Sequence, residues 1–297
     1  MKELCIGVIG TGHIAQNYHL PSLQKLAEGG LPIRRCALCD LNKQRAQQAA
    51  ERFGFARVYT DYRKMLEAEA LDAVWVLVPI PQMREVAGFT LSHGIPTLME
   101  KPPGKNSQEA RELWELANKH GTPHQVAFNR RFAPLLRRMK ELLQEAGEVS
   151  AVSCQFYRYR RTEPGFAYGT GLHGLDTLCF LNGSEVEEVH TYPRAHNGAL
   201  VILEHANGSH SLMEMLPQTG IQSERYTGHA GERTVMVDGT IAWLSLYPGY
   251  LRYFDQGKET LNVRGEEGPP EVVSGFYGES AHFIDCLLRG VSPSPDL

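Results

Sequence analysis

The stretch "LCIGVIGTGHIA", residues 4–15, constrains the fold more than any other part of this 297-residue chain. A short apolar run leads into Gly10, Thr11, Gly12, His13, Ile14 and Ala15, and the helical-looking run "HIAQNYHLPSLQKL" follows. A strand, a glycine turn and a helix start in that order place free N–H groups and the positive end of a helix dipole where a pyrophosphate can rest. Ala15 stands where the strict pattern has a third glycine, a variant suited to close helix–strand packing. Asp40 ends the next apolar run, "IRRCALCD". There a carboxylate can accept hydrogen bonds from both ribose hydroxyls and repel a 2′-phosphate, which favours NAD over NADP. The plainer alternatives are a glycine turn in a non-binding α/β domain and an aspartate that only caps the next helix.

A second string, "YGTGLHGLD" (168–176), matches G-x-G-x-x-G literally through Gly169, Gly171 and Gly174. The preceding "RTEPGFAY" holds Pro164 and Gly165 and no apolar run, so no strand feeds it. Its glycines read as packing positions at the start of a helix.

Strand-like runs "DAVWVLV", "PTLMEK" and "HQVAF" alternate with helical runs "NKQRAQQAAERFG", "MREVAGFTLSHG" and "SQEARELWELANKHG". That alternation predicts an α/β, doubly wound parallel sheet over residues 1–124. The rest, 125–297, reads as α+β, a mostly antiparallel sheet with helices at "GLHGLDTLCFLNG" and "GESAHFIDCLLRG". Asn207-Gly208 predicts a type I′ hairpin with His205 and His210 paired across it, and Asp238-Gly239 predicts a second hairpin. "FYRYRR" extends a strand through Arg161, with Tyr157, Tyr159 and Arg161 on one face and Arg158 and Arg160 on the other. The arginines then line a solvated or subunit-facing sheet surface, or meet an anionic substrate.

Net charge is −4, and no apolar run is long enough to span a bilayer. Neither a nucleic-acid partner nor a membrane partner is expected. The first residues, "MKELCIGVIG", show no signal-peptide pattern, which points to the cytoplasm. Cys36 and Cys39 have metal-like spacing but lie on a strand, where they diverge, so they read as buried, reduced thiols. No metal site is expected, because His205 and His210 alone make no complete one.

"LMEKPPG" puts Glu100 and Lys101 just past a strand of the parallel sheet, the end at which such sheets bind ligands. A lysine there can be desolvated and made useful in proton chemistry, or it can be a solvated loop residue. Taken together, "GVIGTGHIA", Asp40, "EKP", "VAFNRRFAP" and "GLHGLD" fall in an order and spacing that resembles the glucose–fructose oxidoreductase, inositol dehydrogenase and MocA (Gfo/Idh/MocA) family. The resemblance covers nearly the whole chain.

It implies an N-terminal Rossmann domain and a C-terminal domain on an open, mostly antiparallel sheet. It also implies NAD(P)-dependent hydride transfer on a small-molecule sugar or polyol, and a homodimer or homotetramer formed through the second sheet. By resemblance Lys101 and His173 are catalytic, and Asp176, Asn129 and Tyr157 contact substrate or orient those that do. Gly10, Thr11, Gly12, His13, Ile14, Asp40, Pro79, Glu100 and Lys101 face the cofactor. The family's acid four residues before the histidine is Gly169 here, and its T-P-N-x-x-H run appears as "VPIPQM", with Ile80 and Met83 at the altered positions. The resemblance would also lead one to expect a further helix after "SPSPDL". The changes at Gly169, Ile80 and Met83 leave open a nucleotide-binding regulator of the same fold, and the aromatic residues Tyr157, Tyr159, Phe166 and Tyr168 permit an enzyme acting on a non-sugar substrate.

Overall fold

The structure, a computed structural model, describes residues 3–297; Met1 and Lys2, placed in the expected first domain, lie outside the described residues. The described residues form two units, 3–128 with 276–297, and 129–275.

The first unit carries β1 (Leu4–Ile9), β2 (Ile33–Cys39), β3 (Arg57–Tyr59), β4 (Ala73–Val76), β5 (Thr97–Glu100) and β6 (His124–Ala127). They form a six-stranded sheet in the order β3-β2-β1-β4-β5-β6, parallel throughout. This is the Rossmann order, with its reversal between β1 and β4. Strand alternation feeds a core on each face: Ala73 and Trp75 join one cluster, Val74 and Val76 the other. Around the sheet run α1 (Leu20–Glu28), α2 (Lys43–Phe53), α3 (Tyr62–Ala68), α4 (Ile80–Ser92) and α5 (Ser107–His120). Gly54 and Gly121 close α2 and α5 in the left-handed region.

One expectation fails here. Cys36 is bonded to Cys5 of β1 rather than reduced, while Cys39 stays a free buried thiol. The β1–β2 register slips between Ile6 and Gly7, and Cys36 falls in the slip, with its Cα 5.7 Å from that of Cys5. That spacing is within disulfide range.

The second unit holds α6 (Pro134–Ala146), β7 (Val149–Tyr157), α7 (Leu172–Asn182), β8 (Val186–Arg194), β9 (Gly198–His205) and β10 (His210–Leu216). It continues with β11 (Ser223–Ala230), β12 (Arg233–Asp238), β13 (Tyr250–Asp255), β14 (Lys258–Arg264) and the single turn α8 (Pro270–Val273). The sheet is eight-stranded, β14-β13-β12-β11-β7-β10-β9-β8, with only β7 and β10 parallel. Helices α6 and α7 bury one face through Val152, Cys154, Phe156, Met213 and Met215.

Three local readings change. β7 ends at Tyr157, and Arg158 turns inward to the buried Glu224 instead of lining a surface. At the β9–β10 turn only Gly208 has positive φ, +79°, and its N–H donates to the His205 carbonyl. The loop is therefore a type I turn with a bulge rather than type I′. His210 pairs with Glu204, while His205 turns to Ser184 and Ser211. Asp238-Gly239 makes no tight turn; β12 and β13 do pair as an antiparallel hairpin from Asp238 and Tyr250, but residues 239–249 join them in a closed excursion where the Gly239 and Gly249 backbones meet.

After the second unit, α9 (Phe276–Arg289) returns to the first and adds Phe283 and Ile284 to its core. The Phe283 ring meets Trp75 edge-on at 5.3 Å. The expected division at 124/125 gives way to this return. No helix among the described residues is long and apolar enough to cross a membrane.

Glu224 makes a costly polar centre in the second unit. Glu224, fully buried on β11, accepts from Arg130 at 2.9 Å and from Arg158. Burial alone would raise its pKa, but the two guanidinium groups outweigh it and bring it from 4.5 to about 2. A depressed folded value means the stabilisation is complete above the unfolded pKa and is lost as pH falls from about 4.5 towards about 2. Glu224→Gln should cost about 3–5 kcal/mol at neutral pH by stranding two buried cations, and its urea midpoint should vary less than wild type across that acid window.

Candidate active site

In the first unit, β1 runs into a turn that only glycine fits. Gly10 has φ +97°, and a Cβ there would lie 2.4 Å from the Leu77 carbonyl oxygen. Its N–H donates to the Cys39 carbonyl at 2.8 Å, so the turn passes between the ends of β2 and β4. Gly12 is the opposite case, since an added Cβ meets nothing within 4 Å. The helical run begins at His13 and continues through a wide turn, Ala15–His19, into α1. Ala15 packs in the core, His13 lies outside with Asn17, and Ile14 is 39% exposed beside the loop. Gln16 braces the loop from below by donating to the Thr11 carbonyl at 2.8 Å.

Asp40 ties this loop to the end of β2. Its Oδ2 accepts from both the N–H and the hydroxyl of Thr11, each at 2.8 Å, and Oδ1 accepts from the Asn42 N–H at 2.9 Å. Arg45 clamps the same carboxylate at 2.7 and 3.2 Å. Burial would raise the Asp40 pKa, but the bonds from Arg45, Asn42 and Thr11 hold it below the ordinary carboxylate value. The helix-capping alternative falls to Asn42, whose side chain accepts the Arg45 N–H at 3.0 Å. Arg45 was missed in the sequence; its only signal is its place in the first turn after Asp40.

Glu100 ends β5 with its side chain held on both sides. His19 Nε2 lies 3.0 Å from Oε1, and the Lys101 N–H donates to Oε2 at 3.1 Å. Lys101 is half-buried and precedes a cis peptide to Pro102. Pro79 stands exposed at the start of α4, Ile80 follows it half-buried, and Met83 is a core residue. The Met83 position therefore supplies packing and no polar contact.

In the second unit, His173 and Asp176 lie one turn apart on α7, both buried. Asp176 is locked by Arg131, whose Nε reaches both carboxylate oxygens at 3.1 and 3.0 Å and whose Nη2 lies 2.6 Å from Oδ1. Burial raises its pKa despite this guanidinium. Asn129 is fully buried, donating to the Ser274 carbonyl at 2.7 Å and accepting from Arg130 at 3.0 Å. Its amide serves the frame of this unit. Tyr157 donates to Glu214, and burial followed by that bond pushes its pKa up to about 12, so it stays a neutral phenol.

The glycines of the second motif divide. A Cβ at Gly171 would meet Met215 Sδ at 2.4 Å, and one at Gly174 would meet Phe156 at 2.9 Å, which lets α7 lie close on the sheet. Gly169 faces open space, with nothing within 4 Å of an added Cβ.

The donor set of the first unit fits a dinucleotide. The space at Gly12 is a cradle that a Cβ would fill, helical N–H groups follow it, and a carboxylate stands at the neighbouring strand end. The Gly12, His13 and Ile14 backbone at the start of the helical run would hold such a group, while Gly10 and Thr11, whose N–H groups go to Cys39 and Asp40, shape the loop behind it with Asp40.

The chain is similar to several known proteins. Residues 4–128 match the profile of an oxidoreductase family with an NAD-binding Rossmann fold, GFO_IDH_MocA. Inositol 2-dehydrogenase of Corynebacterium glutamicum is 31% identical over 70% of this chain, and the chain spans 65% of that relative's length. D-apiose dehydrogenase of Paraburkholderia graminis is 26% identical over 99% of this chain and 83% of its own. An oxidoreductase from Agrobacterium radiobacter, solved with NAD+, L-tartaric acid and magnesium, shares the fold at TM-score 0.79 and 18% identity, over 99% of this chain and 91% of that one.

Gly12→Val should fill the cradle without touching the fold. The expected result is dinucleotide affinity lowered by at least about tenfold, roughly the loss of one good hydrogen bond to a charged group, with the thermal midpoint unchanged. Titration calorimetry with NAD+ and a melting curve on the same sample check both parts.

Proposed function

The chain belongs to the Gfo/Idh/MocA oxidoreductases, and from that premise we propose that it is an NAD-dependent dehydrogenase or reductase acting on a CH–OH carbon of a sugar or polyol. The observation that carries the proposal is the open glycine loop at the strand-order reversal, in the same unit as a half-buried lysine at the carboxyl end of β5. The relatives named as inositol and apiose dehydrogenases support the substrate class.

When bound, the nicotinamide supplies the hydride acceptor. The rest is the work of side chains. The Lys101 ammonium stabilises the alkoxide that develops as the substrate hydroxyl loses its proton. By the family resemblance alone, His173 is the residue proposed for proton transfer, a role suited to an imidazole. Asp176, fixed by Arg131, supports the histidine's helix face instead of offering substrate a free carboxylate. NAD is proposed over NADP because a carboxylate, Asp40, ends β2 where the adenosine ribose would lie; Arg45, paired to it, is the cation a 2′-phosphate would otherwise meet. The face of the eight-stranded sheet opposite α6 and α7, with a hollow of about 350 Å³ lined by Ser153, Gln155, Arg225 and Arg252, is the surface proposed for self-association.

Gly169 favours a second reading, a nucleotide-binding regulator, since the family's acid is missing there. The open space at Gly169 permits its return. Lys101→Ala should still bind NAD+ and lose turnover by at least about a hundredfold, the scale of one electrostatic stabiliser. Unchanged turnover would remove Lys101 from the chemistry. If wild type and Gly169→Asp both bind NAD+ and neither turns over any of a sugar and polyol panel, the regulator reading takes its place.

A further inference from the structure

Nothing in the proposed chemistry uses His19. It lies in the wide turn between the glycine loop and α1, fully buried, with its ring edge-on to Phe276 at 5.2 Å. A wide turn of this kind is rare and concentrates at functional sites. His19 Nε2 lies 3.0 Å from Glu100 Oε1. A carboxylate can only accept, so Nε2 carries the proton. Nδ1 is buried and has no hydrogen-bond partner among the described residues, so the Glu100 contact is the polar link of this ring. The other oxygen of Glu100 takes the Lys101 N–H at 3.1 Å. The His19 side chain is 0% exposed and that of Glu100 14%, so water competes little for this bond. One carboxylate thus joins the helix that starts at the glycine loop to the backbone that carries Lys101. His19 and Glu100 lie 81 residues apart in sequence.

We infer that His19 is a positioning residue for Lys101, acting through Glu100 to hold the lysine backbone in register with whatever the Gly10–Ala15 loop binds. Residues 101–106 belong to no helix or strand, so the link reaches the lysine backbone from the neighbouring strand end. Loss of the link would leave Glu100 half-satisfied and the lysine's starting point loose. Misplacement of a reacting group by about 1 Å can cost about a hundredfold in rate. The inference rests on the reading of Lys101 as catalytic.

Two variants separate positioning from packing. His19→Phe keeps a ring against Phe276 but cannot donate; His19→Gln returns an N–H near the place of Nε2. Three measurements are made on each full-length variant: turnover, ADP affinity by calorimetry, and the Lys101 amine signal by NMR after reductive ¹³C-methylation, assigned with Lys101→Arg. We expect His19→Phe to lower kcat about 10- to 100-fold with KM and ADP affinity within about twofold, and His19→Gln to recover most of the loss. The Lys101 signal and its titration midpoint should move in His19→Phe and return in His19→Gln. Wild-type kcat in His19→Phe with an unmoved Lys101 signal overturns the inference. So does equal loss in both variants together with loss of ADP binding, which makes His19 a packing residue only. If wild type turns nothing over, the failure belongs to the proposed function. The Lys101 signal then decides alone: movement in His19→Phe and return in His19→Gln supports the link, and a fixed signal overturns it.

Discussion

Gly10 has no side chain, and the turn after β1 requires that. At φ +97° the loop passes so close to the Leu77 carbonyl that any Cβ would collide with it. The close pass lets β1 enter a helix at the reversal of strand order, where the ends of β2 and β4 part. Asp40 then fastens the loop from one side through Thr11, and Gln16 braces it from below. The loop's conformation is therefore fixed by bonds within the protein. Binding by such a preformed cradle loses little to loop ordering.

The same economy marks the other polar groups. Glu100 satisfies two donors at once, Asp176 holds one arginine, and Glu224 holds two. Each carboxylate has its partners inside its own unit, which is what a buried charge demands. Where a side chain is already spent in this way, as with Asn129, it is a poor candidate for a ligand. Where space is open, as at Gly12 and Gly169, the chain can still receive one.

Much of the first unit was legible in the sequence because its signals are local. Apolar runs of strand length, glycines at helix ends and a strand–glycine–helix succession each act over a few residues. The rejection of the literal motif at Gly169, Gly171 and Gly174 also rested on local context, and Gly171 and Gly174 indeed serve packing. What stayed hidden is non-local. The Cys5–Cys36 bond depends on a register slip, and the return of α9 depends on a core whose other members lie far upstream. Arg158 reads as part of an alternating strand until Glu224 is known to lie across from Phe156. The Asp238-Gly239 turn carried a hairpin signature, but Gly239 is bound by the approach of Gly249. In the candidate site, the glycine loop and Asp40 could be read directly, whereas Arg45, Arg131 and His19 had no signal beyond their spacing.

The central claim is that this cradle and this lysine serve hydride transfer from a carbinol carbon. Its most direct measurement is isotopic. The protein is incubated with NAD+ and a pool of sugars and polyols deuterated at their carbinol carbons, and the recovered dinucleotide is examined by mass spectrometry and NMR. Deuterium should appear at the nicotinamide C4 of NADH, formed by the wild type and at least about a hundredfold more slowly by Lys101→Ala. Recovery of unlabelled NAD+ from a wild type that demonstrably binds it would contradict the account.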